Sequence, residues 1–406
     1  MSKILITGNG FDLNLNLPTS YSDFIRILRN LKNLDEYNFD SVYNVSSSYE
    51  SIKNNFDNNI EFKKNEIEEL KDLLNKNLWF NFFTSEYNIE TWIDFETKIE
   101  YVLINIFKAL STLEKYFFSD GSRPHTSRAI LFKNFYKNIE YYTIFENFKL
   151  FEIEGSHIIF NQFLFNKKHE HNINFNYEEI SEYLQKDLMQ FKKVFNLYFE
   201  IFVLPLYDKL KVNNKLNLKT IDHHFTFNYT PTFEKVYGRN IRTDFLHGKI
   251  DSKSNFIVLG INEVPDNINE NHVKYFIPFT KYYQKLNNNT DYYFLNDLSG
   301  KNTFENYIFY FIGHSLDKSD EDYINEIFNF INDLKTKGNQ IVISYHSKNS
   351  KSKMLINLIE IRGKDDIVNL MRNKVLVFEK LNSKEFEEAL NLKLVKKTKG
   401  VKSYKI

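Results

Sequence analysis

Gly8-Asn9-Gly10 follows the apolar run KILIT and precedes Asp12, so a strand gives way to a glycine turn and then to the start of a helix. Such a turn lets the backbone approach a phosphate, and the helix start adds N–H groups and a positive dipole end. The same Gly-x-Gly also forms turns that hold no ligand, and no third glycine completes the usual dinucleotide fingerprint. Asp12 would bond a ribose hydroxyl or cap the next helix. Four later apolar runs end on residues of similar kind: Asn228 after HHFTF, His247-Gly248 after TDFL, Gly260 to Asn262 after FIVL, and Gly313-His314-Ser315 after YIFYFI. Each is explained singly by a turn, a strand end or a tight bend. Together they fall at the C-terminal ends of expected strands, the edge where open parallel sheets bind ligands.

Other residues support more than one chemistry. Glu96 lies on an apolar helix face between Trp92 and Ile99, where an ionised carboxylate is costly without a partner. A buried ion pair and a catalytic or ribose-binding role both fit it, the ion pair slightly better. Asp317, Asp320 and Asp322 follow Gly313 and would suit Mg²⁺ in a nuclease-type toxin, but more simply they open the next helix with acids at its positive end. His169-x-His171 sits in a polar stretch that reads as an exposed loop. No metal site is expected. The absence of cysteine removes disulfides, thiolate nucleophiles and cysteine zinc sites.

The elements that must position these residues change along the chain. Helical spacing dominates from about residue 20 to 220: Trp92, Glu96, Ile99, Leu103, Ile106 and Leu110 share one face, and Ile180, Leu184, Leu188, Phe191, Phe195, Tyr198 and Phe202 make a second stripe ending at Pro205. Residues 141 to 166 fit either a strand pair or irregular helices. Beyond 220 come short apolar runs, HHFTFN, TDFLHG, NFIVLGIN, YIFYFIGHS, QIVISYH and KVLVFE, the last three alternating with helical segments. That rhythm predicts an α/β, Rossmann-like parallel sheet with a large helical insertion. The expected division is a nucleotide-binding core at 1–40 and 221–385, a mainly helical insertion at 41–220 and a basic tail at 386–406. Residues 391 to 406 hold six lysines and no acid, which reads as a solvated end.

At 406 residues the chain can bury a substantial core. Lys plus Arg equals Asp plus Glu at 53 each, so no global field indicates nucleic acid or a membrane. With neither an apolar leader nor a run of about 18 apolar residues, a cytoplasmic protein is expected.

The stretches GNGFDLNLNLPTSYSDF, WIDFE, FTFNYT, FLHG, VLGIN and FIGHSLDKSDEDYI together resemble the AbiH family of phage abortive-infection proteins, from the first strand to about residue 330. The resemblance implies a defence role. A more distant resemblance to sirtuin-type domains covers four motifs in order: Gly8, Gly10 and Pro18 match their opening glycines and proline, Phe227-Asn228-Tyr229-Thr230 resembles Gln-Asn-Ile-Asp, His247-Gly248 resembles His-Gly, and Gly313-His314-Ser315 resembles Gly-Thr-Ser. Thr230 replaces that motif's Asp, and Ser20-Tyr21 replaces Phe-Arg. This likeness implies cleavage of the bond between nicotinamide and ribose in NAD. Asn228 would orient ribose or water, and His247, with an ordinary pKa of about 6.5, would act as base. Glu96 is the third catalytic candidate, and Gly8, Asn9, Gly10, Asp12, Pro18, Tyr21, Gly248, Gly260, Asn262, Gly313, His314 and Ser315 the candidate nucleotide contacts. Sirtuin deacylases carry a four-cysteine zinc module that this chain cannot build, so water is the expected acceptor and no cofactor is required. A phage-derived trigger and a homo-oligomer are the expected partners. The alternative is a nucleotide sensor that binds NAD or ADP-ribose without cleaving it.

Overall fold

The run KILIT extends between two neighbours with Ile4, Leu5 and Ile6 fully buried, which a strand covered on both faces requires. The computed structural model describes residues 2–85, 92–118, 129–131, 139–166, 175–211, 216–238, 241–250, 257–288, 294–295, 306–334 and 338–391. Within them the strands are β1 (Ser2–Thr7), β2 (Ala129–Leu131), β3 (Phe151–Glu154), β4 (His157–Phe160), β5 (His223–Thr226), β6 (Thr243–Phe245), β7 (Tyr307–Ile312), β8 (Gln340–Tyr345) and β9 (Leu376–Lys380).

Six of these form one sheet in the order β6-β5-β1-β7-β8-β9. Every neighbouring pair is parallel. The chain therefore builds outward from β1 to β5 and β6, then returns past β1 to β7, β8 and β9. Renumbered within the sheet this is 3-2-1-4-5-6, the doubly wound order, and its switch point lies between β1 and β7. All six residues of β7 are buried, as its uninterrupted apolar run demands of a central strand.

A separate helical layer occupies the chain between β1 and β5. The helix Tyr177–Tyr198 begins where the Asn176 side chain accepts the Glu179 amide at 3.2 Å. All seven residues of its apolar stripe are buried. Pro205 does not end it: the α-helix stops at Tyr198, passes through a π-helical turn at Phe199–Val203, and Pro205 starts a 3₁₀ segment. Residues 141–166 hold the end of the helix Ile139–Asn147 followed by the β3–β4 hairpin, which joins β2 in a small antiparallel sheet. One apolar cluster takes in Tyr21, Phe24, Leu28, Ile99, Phe191, Phe276 and Phe279, so residues from both sides of the insertion pack with it.

Among the described residues of the run at 255–262, those from 257 to 262, there is no strand, contrary to its pattern. Its described part uses other partners: Val258 N bonds His247 O at 2.9 Å, and the Gln284 side chain meets both Leu259 N and Leu259 O at 3.0 Å. A side-chain amide thus replaces the strand neighbour for this backbone. His169, His171 and most of the basic tail lie outside the described residues. Among the described residues no helix is long and apolar enough to cross a membrane.

Candidate functional site

A cavity of about 290 Å³ opens at the C-terminal ends of β1, β5 and β7, at the switch point of the sheet. Its floor is made of two turns packed backbone to backbone. Gly8 N donates to Ile312 O at 3.2 Å and Gly10 N to Gly313 O at 2.8 Å. A Cβ on Gly8 or Gly10 would come within 2.8 Å of the turn after β7, and Gly313, at φ +69°, has Phe11 N only 2.1 Å from where its Cβ would stand. These glycines therefore satisfy turn packing, and the amides of Gly8 and Gly10 are spent on it.

Polar side chains converge from the strand ends. Asn228 follows β5, where Thr226 Oγ1 accepts its backbone amide at 3.0 Å and Gly8 O accepts its Nδ2 at 3.0 Å. Asp12, 1 % exposed, accepts hydrogen bonds from Thr230 and, at 2.5 Å, from Thr232 Oγ1. Burial nevertheless pushes its carboxyl up to about 6. Asn9 is set by its Nδ2, which donates to Thr19 O at 3.1 Å.

Beyond β6 and β7 stand two imidazoles facing one carboxylate. His247 Nε2 lies 3.3 Å from Asp320 Oδ1, and His314 Nε2 lies 3.5 Å from Asp320 Oδ2. Leu316 N donates to His314 Nδ1 at 2.9 Å, which puts the His314 ring proton on Nε2, toward the aspartate. Burial drives the His247 pKa down to about 4, so its ring is neutral near pH 7. Burial by itself would raise Asp320, but His247 and His314, joined by the charge of Lys281, hold it well below the usual carboxylate range. The result is an ionised aspartate beside a neutral histidine: their facing atoms, Nε2 and Oδ1, are buried and make no hydrogen bond, so the aspartate acts through its charge, which favours the imidazolium that a base becomes. Phe227 stacks edgewise between them, 4.2 Å from His314 and 5.3 Å from His247 between ring centroids.

The remaining wall comes from outside the sheet. Glu96, on the helix Trp92–Phe118, pairs with Lys281 at 2.6 Å, with side-chain exposures of 15 % and 6 %. Burial first, and then Asp320 and Asp317, push the Glu96 carboxyl up to about 7 against the pull of Lys281. Lys281 begins the helix Lys281–Asn288 and stays above its ordinary value because Glu96 and Asp320 outweigh its burial.

Of the residues singled out in the sequence, Gly8, Asn9, Gly10, Asp12, Glu96, Asn228, His247, Gly313, His314 and Ser315 line the cavity. Pro18, Tyr21, Gly248, Gly260 and Asn262 are not among the lining residues. Pro18 uses its carbonyl to accept the Tyr198 hydroxyl at 2.7 Å, and the Tyr21 ring packs 5.7 Å from that of Phe95. Gly248 takes φ +89° in the turn after β6. Gly260 has no room for a side chain beside Phe279 O, and Asn262 is exposed. Lys281, Thr19, Phe199, Leu259 and Ser319 complete the wall with no local sequence signal. Asp320 does carry such a signal, as a helix-start acid, but its two histidine partners become visible only in three dimensions. The acidic trio does not converge: Asp317 accepts Ser319 N at 3.0 Å, Asp320 faces the histidines, and Asp322 is exposed. Among the described residues no group of three His, Cys, Asp or Glu is placed to hold a metal ion.

An open parallel sheet of this order, with a cavity at its switch point, defines a doubly wound α/β protein, a class of fold whose ligands bind at that crevice. The model of the bacteriophage abortive infection AbiH family matches residues 4–345, and the chain belongs to that family. No curated protein and no solved structure matches it.

Proposed function

We propose that this chain is an abortive-infection effector that hydrolyses NAD to nicotinamide and ADP-ribose in this cavity. The observation that carries the reading is the neutral His247 imidazole set against the ionised, buried Asp320 at the switch point. Water attacks the ribose carbon, the carbon–nitrogen bond breaks with its electron pair going to the ring, neutral nicotinamide leaves, and His247 takes the proton from water. Asn228 holds the turn that faces the ribose. The defence role follows from the family; a phage-derived trigger, self-association and a cytoplasmic site of action belong to the same proposal.

Purified protein, with infected-cell extract as trigger, should release nicotinamide from NAD. His247→Ala should lower that rate by about 100-fold or more, the range typical of a lost general base, while thermal unfolding shows the variant still folded. Unchanged turnover in His247→Ala and Asn228→Ala would sink the assignment. The second reading is a sensor, favoured by the commitment of the Gly8 and Gly10 amides and the Asn228 side chain to holding turns together. Saturable binding of ADP-ribose without nicotinamide release would establish it instead.

A further inference from the structure

The cavity wall carries three carboxyl groups, Asp12, Glu96 and Asp320, against one ammonium group, Lys281. His247 adds no positive charge near pH 7, and the Nδ1 of His314 is occupied as an acceptor. Lys285, on the same helix as Lys281, holds its ammonium over the Tyr323 ring at 4.1 Å and is not a wall residue. On a wall whose carboxyl groups are largely buried this shortage of positive charge is felt more than in water. A phosphate would add to it, whereas a cation would relieve it.

The three carboxyls do not respond alike. Asp320 is held ionised by two imidazoles, and Asp12, engaged by two threonine hydroxyls, is pushed up only to about 6 and is largely ionised at pH 7. Glu96 is faced by Lys281 from the helix Lys281–Asn288, by Asp320 and Asp317 from the stretch after β7, and by Tyr229 from the stretch after β5. With its carboxyl held near 7, a new neighbouring charge of either sign shifts its proton occupancy within the physiological range. The volume of about 290 Å³ is at the low end for small-molecule pockets, so one end of a dinucleotide fills it.

We propose that the cavity selects a positively charged N-ribosyl pyridinium ring, and that entry of the cation drives the proton off Glu96. This rests on the NAD reading and deepens it by naming the end of the dinucleotide that enters and the residue that registers its charge. Glu96 comes from the helical layer, so the sheet alone holds only part of the recognition. In this role it is a specificity residue.

Calorimetry with carba-NAD, a non-cleavable cationic analogue, and with NADH, whose ring is uncharged, tests this in two buffers of different ionisation heat. Carba-NAD should bind at least about tenfold tighter than NADH, a difference of about 1.4 kcal/mol. Its affinity should rise from pH 6 to pH 7 and then level, with proton release that NADH does not cause. At pH 7, where Asp12 is largely ionised, Glu96→Gln should abolish the release and flatten the pH profile there; a purely structural glutamate would change affinity and leave the release intact. The comparison of the two ligands on the unaltered protein needs no variant to fold. Equal affinities, or cation binding without proton release, would overturn the inference while nicotinamide release left the NAD reading standing. Heat from neither ligand, with no nicotinamide release, would overturn both.

Discussion

At the scale of single residues, Lys192 shows how far this fold will go to bury charge. Its side chain lies in the helical layer, 5 % of the residue is exposed, and its Nζ donates to Gln284 Oε1 at 2.5 Å. Burial lowers its pKa to about 7 from 10.5. Between those values the unfolded chain keeps a proton that the folded chain gives up, so the cost of burial is full below about pH 7 and falls as pH rises. Folding stability should therefore gain with pH between 7 and 9.5, and Lys192→Met should remove that gain. Denaturant titrations at the two pH values measure it; equal slopes in both proteins would mean that the lysine keeps its ordinary proton affinity. The same amide holds Leu259 at the cavity wall, so Lys192 bears on the site through Gln284.

At the scale of elements, the site depends on how closely the turns after β1 and β7 approach. Gly313 combines a left-handed backbone with a neighbour at 2.1 Å, whereas Gly155, at φ +59° in the β3–β4 hairpin, has nothing within 4 Å of a Cβ. The two positions separate strain from collision. Gly155→Ala should cost about 1 kcal/mol, the usual left-handed penalty, and Gly313→Ala about 3 kcal/mol or more because the backbone must also part. Chemical denaturation of the two variants compares these costs. Similar losses would show that the turns can separate without strain.

At the scale of the whole molecule, the Glu96–Lys281 pair ties the helical layer to the segment that closes the cavity over the sheet. Removing one partner leaves a buried charge uncompensated. Lys281→Met should cost about 3 kcal/mol at pH 8, and less at pH 5. The sign follows from Glu96, whose folded pKa is already raised and rises further without the ammonium, so its cost grows as pH climbs above the unfolded value near 4.5. The Glu96→Gln, Lys281→Met double variant should recover most of the loss. Additive losses, measured by thermal unfolding at both pH values, would mean that the pair is not the coupling it resembles in space.

Much of the scaffold was written locally. Unbroken apolar runs predict buried parallel strands because a two-faced core demands them, and the stripe from Ile180 to Phe202 predicts a helix because 3.6 residues make a turn. Asn228, His247 and Gly313 to Ser315 were legible because each ends such a run. The pattern at 257–262 misled because Gln284, 25 positions beyond Leu259, supplies that residue with the bonds a strand neighbour would give. Glu96 stood in the sequence between an ion pair and a site residue; the fold pairs it with a lysine 185 positions away and places that pair on the cavity wall. Thr230, which departs from the sirtuin pattern, proves to be a partner of Asp12. Sequence alone determined the periodicities, the glycine turns and the absence of thiol chemistry, all properties of neighbouring residues. Tertiary structure decided which side chains share one desolvated space, and with it the charge of His247, Asp320 and Glu96, because burial and partners from distant segments set those values.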